Sequence, residues 1–210
     1  GSVVTIGAFD GIHLGHRQLL RRVVEVARET DCPAVAMSFE PTPKEFFLRD
    51  SPPARLMRFR EKYEALADRN IEIFFCPRFD AAMRDISAAA FIRQILIHGL
   101  NARHLVVGDD FRFARRREGS REDLERVGPV LGLDIEQVPS IIVEGVRVSS
   151  TAIREALACK ETGEEKVILT ALCGHGHLDL LAYEKYLSGE MVDFELSDDD
   201  IAAAMSEVPV

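Results

Sequence analysis

The sequence predicts an α/β fold in which a parallel β-sheet is covered by helices on both faces. Short β-rich apolar runs alternate, through the first 160 residues, with segments whose apolar residues recur at helical spacing. This alternation is typical of strand–helix–strand crossovers, which place the strands parallel. With 210 residues, of which 47% are apolar, the chain can bury a core and does not have the composition of a disordered polymer.

Six runs have strand character. Each is four to eight residues long and is followed by Gly, Pro or polar turn residues. The last run contains the turn signal Glu144-Gly145, which predicts a hairpin. The predicted strands are residues 3–6, 34–39, 71–76, 104–107, 135–138 and 141–148.

Four segments have helical periodicity. In each of the first three, apolar side chains fall on one face of the predicted helix. The fourth begins after hydroxyl residues, with Ser149 or Ser150 as its N-cap. The predicted helices are residues 17–30, 56–69, 88–100 and 150–158.

The charge of the chain is concentrated in its tail. The net charge is −9, and residues 161–210 contain twelve acidic and only two basic residues. A nearly neutral body with an acidic tail argues against nucleic-acid binding and indicates two units of different origin. We expect one domain over residues 1–159 and a short acidic α/β extension over residues 160–210, with a strand at 167–172 and a helix at 180–187.

The cysteines and the apolar pattern predict a cytoplasmic protein. No run of 18 apolar residues could span a membrane, and no N-terminal segment resembles a secretion signal. The cysteines form no CxxC pair and are interpreted as reduced thiols. They are Cys32, Cys76, Cys159 and Cys173.

Three turn-rich segments follow predicted strands, at residues 7–15, 108–119 and 148–154. Ligands of open parallel sheets bind beyond the carboxyl ends of the strands. We therefore expect the three segments to meet at one edge of the sheet.

The first segment continues into a helix and reads GAFDGIHLGH from Gly7 to His16. Its glycines let backbone amides approach a ligand closely, and the helix start offers unpaired N–H groups that suit phosphate. Its two histidines, His13 and His16, can face the same ligand and donate hydrogen bonds to phosphate oxygens. A structural turn with one capping histidine is the alternative. The sequence contains neither a dinucleotide fingerprint nor a P-loop.

The other segments have phosphate-binding and ring-stacking chemistry. Residues 148–154 place hydroxyls and Arg154 in the first turn of a helix, with Arg147 just upstream. Residues 108–119 combine two aromatic residues with several arginines, which could stack on a ring and hold phosphates. The alternatives are a capped helix and a solvated basic loop. A rigid turn, FEPTP, spans residues 39–43.

Together, GAFDGIHLGH, FEPTP, GDDFRF with RRREG, and VSSTAIREAL resemble the N-terminal module of the bacterial FAD synthetases in order and spacing. That module is an FMN adenylyltransferase of the HxGH nucleotidyltransferase superfamily, and the resemblance extends over residues 3–159. It implies a Rossmann-like nucleotidyltransferase fold. It also implies transfer of AMP from ATP to the phosphate of FMN, giving FAD and pyrophosphate, with Mg²⁺.

The resemblance also implies roles for individual residues. The expected catalytic residues, which would contact the ATP phosphates, are His13, His16, Ser150, Thr151 and Arg154. The expected nucleotide-binding residues are Gly7, Phe9, Asp10, Gly15, Gly108, Asp110 and Arg147, with Asp110 near the metal. The expected flavin-binding residues are Phe39, Pro41, Phe111 and Phe113. The metal ligands are left open.

The chain departs from the family pattern in places. Ala8 stands where Asn is frequent, Ala114 where Gly is usual, and Ser120 where Asp is usual. Bifunctional members continue into a riboflavin kinase β-barrel, which nothing after Cys159 resembles, so we expect no riboflavin kinase activity.

The tail, residues 165–210, resembles the C-terminal end of a tryptophan synthase β-like chain on the stretch LCGHGHLDLLAYEKYLSGEMVDFEL. The chain lacks the Schiff-base lysine context and the phosphate loop of that family, so we expect no pyridoxal phosphate binding. His175 and His177 are interpreted as loop residues rather than metal ligands. Apolar tail residues could drive self-association.

The favoured function is therefore an FMN adenylyltransferase that uses ATP and FMN as small-molecule substrates and binds neither nucleic acid nor membrane. Two alternatives are retained. The chain could be an inactive nucleotide-binding chimera or fragment, or it could adenylate another phosphate-bearing acceptor, such as pantetheine phosphate or nicotinamide mononucleotide.

Overall fold

The computed structural model describes residues 1–143 and 145–162, and it confirms the predicted parallel sheet. Five strands pair in parallel in the order β3-β2-β1-β4-β5. They are β1 (Ser2–Ile6), β2 (Ala34–Met37), β3 (Ile73–Phe75), β4 (Ala102–Gly108) and β5 (Asp134–Val138).

Helices connect these strands and extend beyond them. They are α1 (Leu14–Glu29), α2 (Pro43–Phe47), α3 (Phe59–Ala67), α4 (Ala81–Asp85), α5 (Ala88–Ala90), α6 (Arg121–Leu131) and α7 (Ser150–Thr162). The α5 helix continues directly into π-helical turns, Phe91–Gly99. A short 3₁₀ turn spans Arg115–Arg117, and the predicted hairpin is formed by β6 (Ile142–Val143) and β7 (Val146–Arg147).

Alternate residues of the strands bury against helices on opposite faces of the sheet. Val3 and Val106 belong to an apolar cluster with residues of α1 and α3. Val4 and Leu105 belong to a second cluster with the π-helical turns and α6. Because side chains along a strand alternate between faces, both faces of the sheet are covered by helices, and a ligand can bind only at the edges of the sheet.

The strand order reverses between β1 and β4, which lie side by side in the centre of the sheet. Such a switch point opens a crevice at the carboxyl ends of the two strands. The loop after Ile6 and the loop after Gly108 both start there. The fold thus puts two of the expected binding segments next to each other.

Three helices were not predicted from the sequence. The segment FEPTP, interpreted as a rigid turn, leads into α2, whose Thr42 and Glu45 form a capping box. The α4 helix is a single capped turn. In α6, Ser120 and Asp123 form another capping box. The pair Gly128-Pro129 near the end of this helix is a helix-breaking signal, so the sequence did not predict the helix.

Within the described residues no helix is long and apolar enough to cross a membrane. Cys32 and Cys76 are free thiols. The predictions for the acidic tail, including its strand, its helix, its resemblance to a pyridoxal phosphate enzyme and its self-association, concern residues 163–210 and lie outside the described residues. The division into domains at residue 159 also stays a prediction.

Ala114 occupies a backbone conformation that suits glycine. Its φ of 63° and ψ of −174° lie in a region that is costly for any residue with a Cβ atom, by about 1–3 kcal/mol. Arg116 and Arg117, which follow it, also have positive φ values of 51° and 57°. The loop therefore follows the backbone path of a glycine turn at a residue that carries a Cβ atom.

We expect Ala114→Gly to raise the free energy of unfolding by about 1 kcal/mol, because relief of the strain exceeds the entropy that glycine adds to the unfolded chain. Urea denaturation measures the difference. The matched control is Ala90→Gly, at a residue with ordinary helical φ and ψ of −69° and −41°, which should lower stability by about 1 kcal/mol. Equal losses in both variants would contradict a strained Ala114.

Candidate functional site

The loop between β1 and α1 is fixed by two buried side chains with unusual backbone angles. Phe9 and Ile12 have φ values of 49° and 32° and are almost completely buried. Burial of these side chains offsets the cost of the left-handed conformation, so the loop is anchored on the core. The loop ends at His13, which is the N-cap of α1.

His13 and His16 stack on each other at the start of α1. Their ring centroids are 3.7 Å apart with an interplanar angle of 21°. The Nδ1 atom of His13 accepts a long hydrogen bond, 3.4 Å, from the backbone N–H of His16. A Cβ atom at Gly15 would lie 3.3 Å from the His13 ring, so a glycine there leaves the ring free to lie over the first helical turn.

Both histidines are uncharged at neutral pH. Burial, followed by the nearby positive charge of Arg147, lowers the pKa of His13 to about 4, although Asp110 acts in the opposite direction. Burial also lowers the pKa of His16, with further contributions from His13 and Lys62. Because Nδ1 of His13 accepts a hydrogen bond, its proton is on Nε2, which is then available as a neutral donor.

Asp10 connects the histidine loop to two other parts of the chain. One carboxylate oxygen accepts hydrogen bonds from the backbone N–H groups of Leu56 and Met57, at 3.0 and 2.9 Å. The other pairs with the guanidinium of Arg154 on α7. Asp10 is only 7% exposed, so its charge is held by these partners rather than by water.

The first turn of α7 is attached to the same loop. The hydroxyl of Ser150 donates to the backbone carbonyl of Asp10 at 2.7 Å. Arg154 also donates through Nε to the carbonyl of Ala54 at 2.6 Å. Thr151 is exposed in this turn. The structure therefore brings residues 150–154 next to the loop of His13 and His16.

Arg147 links the hairpin to the loop after β4. Its Nη2 atom lies 2.8 Å from a carboxylate oxygen of Asp110 and 3.5 Å from one of Asp109. Asp109 also accepts hydrogen bonds from the backbone N–H and the hydroxyl of Ser140, which lower the pKa of its carboxyl group. All three turn-rich segments thus meet at one edge of the sheet, which is called the mouth of the site below.

Some expected ligand residues are instead part of the core. Phe9 is fully buried, with its ring 5.3 Å from that of His16. Phe113 is 6% exposed and packs on Phe91, while Phe111 stacks on Phe113 at 5.6 Å and remains half-buried. The backbone N–H of Gly7 is already bonded to the carbonyl of Met37. In this structure Phe9 and Phe113 pack in the core, and the Gly7 amide is hydrogen-bonded to the backbone of β2.

Sequence reasoning overlooked an aromatic cluster on α2. The rings of Phe39, Phe46 and Phe47 all contact Phe79, with centroid distances of 5.3–6.0 Å. Phe47 is 61% exposed, which is unusual for a phenylalanine in contact with other rings. Pro41, expected to border the flavin, is half-buried between Phe39 and this helix. The paired phenylalanines directly after FEPTP were the available signal.

A cleft lies between α2, α3 and the Asp10 loop. Two lining residues that sequence reasoning did not single out are Arg55 and Lys62. Arg55 is held by Glu40 and Glu45, whereas Lys62 is buried. The lining residues are Asp10, Thr42, Glu45, Pro53, Arg55, Met57, Lys62 and Arg154.

The low pKa of His13 predicts a pH-dependent stability. An unfolded His13 takes up a proton near pH 6.5, whereas folded His13 does so only near pH 4. Stability is therefore complete above pH 6.5 and falls as the pH drops towards 4, by up to about 1.4 kcal/mol per pH unit from this group.

The test is urea denaturation at pH 7, 6 and 5 for the wild type and for His13→Asn, which keeps a capping side chain. The variant should lose less stability on acidification. His98→Asn, at an exposed histidine of the π-helical turns, should behave like the wild type. Parallel losses in the His13 variant and the wild type would refute a buried neutral His13.

Comparisons with known proteins point to one family. A family model described as FAD synthetase matches residues 1–152. A bifunctional riboflavin kinase/FMN adenylyltransferase of Escherichia coli (strain K12) is 42% identical over 175 residues, which are 83% of this chain and 55% of the relative. A protein with the same description from Pseudomonas fluorescens is 40% identical over 77% of this chain and 51% of the relative. The chain spans about half the length of these curated relatives.

Among solved structures, one described as a macrolide-efflux protein from Streptococcus pneumoniae is similar with a TM-score of 0.65 and 27% identity. The similarity covers 78% of this chain and 55% of that chain. The family model covers well over half of the chain. The chain belongs to the FAD synthetase family.

Proposed function

We propose that this chain is an FMN adenylyltransferase, which transfers AMP from ATP to the phosphate of FMN. The observation that carries the proposal is the convergence of the neutral pair His13 and His16 with Arg147 and the first turn of α7 at one mouth. Neutral donors, a helix start and guanidinium groups form a site that suits a polyphosphate.

The reaction requires little help from a general base. The nucleophile is an oxygen of the FMN phosphate monoester, whose second pKa is near 6, so that it is already ionised at neutral pH. This oxygen attacks the α-phosphorus of ATP, the new P–O–P bond forms, and the bond to the pyrophosphate breaks. The electron pair leaves with the pyrophosphate, and no proton has to be moved by the protein.

The enzyme must instead bring two anions together. The negative charge grows on the oxygens of the α-phosphate and of the leaving pyrophosphate, so donors that are already in place lower the barrier. We assign His13 and His16 to this role as uncharged N–H donors. Thr151 offers a hydroxyl, both Ser150 and Thr151 offer backbone amides from the start of α7, and Arg147 adds positive charge beside His13.

Arg154 has a positioning role as well as a charge. It holds Asp10 and the carbonyl of Ala54 at the same time, so it acts with the Ser150 hydroxyl to fix the distance between α7 and the histidine loop. A lysine could not make both contacts, because it lacks the planar fork of donors. We assign Arg154 to alignment of the triphosphate between the two loops.

Mg²⁺ is proposed as a cofactor. Within residues 1–143 and 145–162 no three metal-binding side chains form a cluster, but Mg²⁺ commonly uses one or two carboxylates together with substrate phosphates. Asp110 fits that requirement, since it lies at the mouth and is 63% exposed, with Arg147 as its partner. When bound there, the metal would neutralise part of the phosphate charge.

The flavin ring is proposed to dock on the aromatic side of the cleft. Phe47 exposes most of its ring next to Phe46 and Phe79, and an isoalloxazine ring can stack on such a surface. Phe111 on the opposite loop is a second candidate for contact with a ring.

We place the enzyme in the cytoplasm, a location supported by the free thiols of Cys32 and Cys76.

The direct test is incubation of the full chain with ATP, Mg²⁺ and FMN, with FAD measured by chromatography and pyrophosphate by a coupled assay. Equal amounts of both products are expected. Pantetheine phosphate and nicotinamide mononucleotide serve as alternative acceptors. Release of pyrophosphate only with one of these would overturn the flavin assignment, and nucleotide binding without any turnover would support an inactive chimera.

His16→Ala should lower the rate of FAD formation by about 10²- to 10³-fold, the usual cost of losing one preorganised donor. The measurement is kcat/KM for ATP at saturating FMN. His98→Ala, which removes an exposed histidine outside the site, should leave kcat/KM unchanged. Near-normal turnover in His16→Ala would remove this residue from the mechanism.

A further inference from the structure

A buried lysine without a partner lies beside the histidine pair. Lys62 is only 4% exposed, whereas the adjacent Tyr63 on α3 is 54% exposed. In the part of the chain that the structure describes, the Lys62 side chain forms no hydrogen bond and no ion pair. The ammonium group keeps contact with solvent at the cleft, where an anionic ligand can pair with it.

The carboxylates around Lys62 are already paired with other cations. Lys62 lines a cleft together with two carboxylates, Asp10 and Glu45. Asp10 is paired with Arg154, and Glu45 with Arg55, which also binds Glu40. Each carboxylate of the lining is thus held by an arginine, and Lys62 has no ion-pair partner among the described residues that line the cleft.

A second buried group in the same place also lacks a partner. The Nδ1 atom of His16 is buried, and no residue in the described part of the chain bonds to it. Lys62 is close enough to His16 for its positive charge to lower the pKa of the imidazole. The histidine pair therefore lies between two cations, Arg147 beside His13 and Lys62 beside His16.

We infer that Lys62 binds the phosphate monoester of the flavin acceptor in this cleft, an inference that rests on the proposed function. The cleft is walled by Thr42 and Glu45 of the α2 region, the helix that also carries the exposed Phe47. Arg154 of α7, assigned above to alignment of the triphosphate, lines the same cleft, so the acceptor phosphate would lie beside the nucleotide. A flavin whose ring stacks on the α2 cluster would place its phosphate at Lys62, next to His16.

This position would give Lys62 a defined part in the reaction. It supplies the counter-charge that lets a second anion enter a site already holding a triphosphate. It also orients the phosphate oxygen towards the α-phosphorus without taking a proton from it. Lys62 is thus proposed as an acceptor-binding residue.

The test compares two ligands that differ only by the phosphate. Binding of FMN and of riboflavin to the full chain is measured by quenching of flavin fluorescence. The wild type should prefer FMN, and Lys62→Met should weaken FMN binding by roughly 10- to 100-fold, the effect of one charge-assisted hydrogen bond. Its riboflavin affinity should stay within about twofold.

Two controls separate this role from a structural one. Lys62→Met should unfold thermally at or above the wild-type temperature without ligand, because it removes no hydrogen bond or ion pair of the described residues and keeps the apolar part of the side chain. Lys62→Arg should recover most of the preference for FMN. Lys44→Met, which removes an exposed lysine of α2, should bind both flavins like the wild type.

Three outcomes would overturn the inference. They are an unchanged preference for FMN in Lys62→Met, an equal loss of FMN and riboflavin binding, and a loss of affinity for a non-hydrolysable ATP analogue in place of FMN. In each case FAD formation by the wild type would leave the proposed function standing. A wild type that forms no FAD from FMN would instead overturn the proposed function.

Discussion

The ion pair between Asp10 and Arg154 is the interaction on which the site depends. The two residues are 144 positions apart, and their side chains are only 10% and 20% exposed. Asp10 also holds the backbone of Leu56 and Met57, so one carboxylate joins the histidine loop, the segment before α3 and the start of α7. Breaking a buried pair leaves an uncompensated charge, at a cost of about 3–5 kcal/mol. Together with the hydrogen bond from Ser150 to the carbonyl of Asp10, this pair fixes the separation of the histidine loop and the first turn of α7.

The electrostatics of the site follow from this arrangement. Carboxylates near the mouth are paired with arginines, and the two imidazoles are kept neutral by burial and by flanking cations. The protein therefore presents positive charge and neutral donors to its ligand at neutral pH. This distribution explains why a chain with a net charge of −9 can still have a site suited to polyanions. Local pairing, rather than total charge, determines what the crevice attracts.

The fold was largely predictable because alternating strand and helix patterns leave few topologies. Each predicted strand of the parallel sheet begins and ends within three residues of the corresponding observed strand. The meeting of the three turn segments followed from the same rule. The role of Asp10 was not predictable, since its partners Leu56, Met57 and Arg154 are far away in sequence. The burial of Lys62 was not predictable for a related reason. Its helix was predicted, but the face of the helix that is buried depends on the segments that pack against it. Phe9 and Phe113, which the sequence predicts to contact ligands, are buried in the core, and their contact with ligands stays a prediction.

The central claim is that the loop of His13 and His16 and the first turn of α7 hold one triphosphate between them. A crystal structure of the full chain with a non-hydrolysable ATP analogue tests it most directly. The account predicts phosphate oxygens within hydrogen-bonding distance of Nε2 of His13 and of the backbone amides around Ser150, with the Asp10–Arg154 pair intact. A nucleotide bound elsewhere on the chain, with both imidazoles remote from any phosphate, would contradict it.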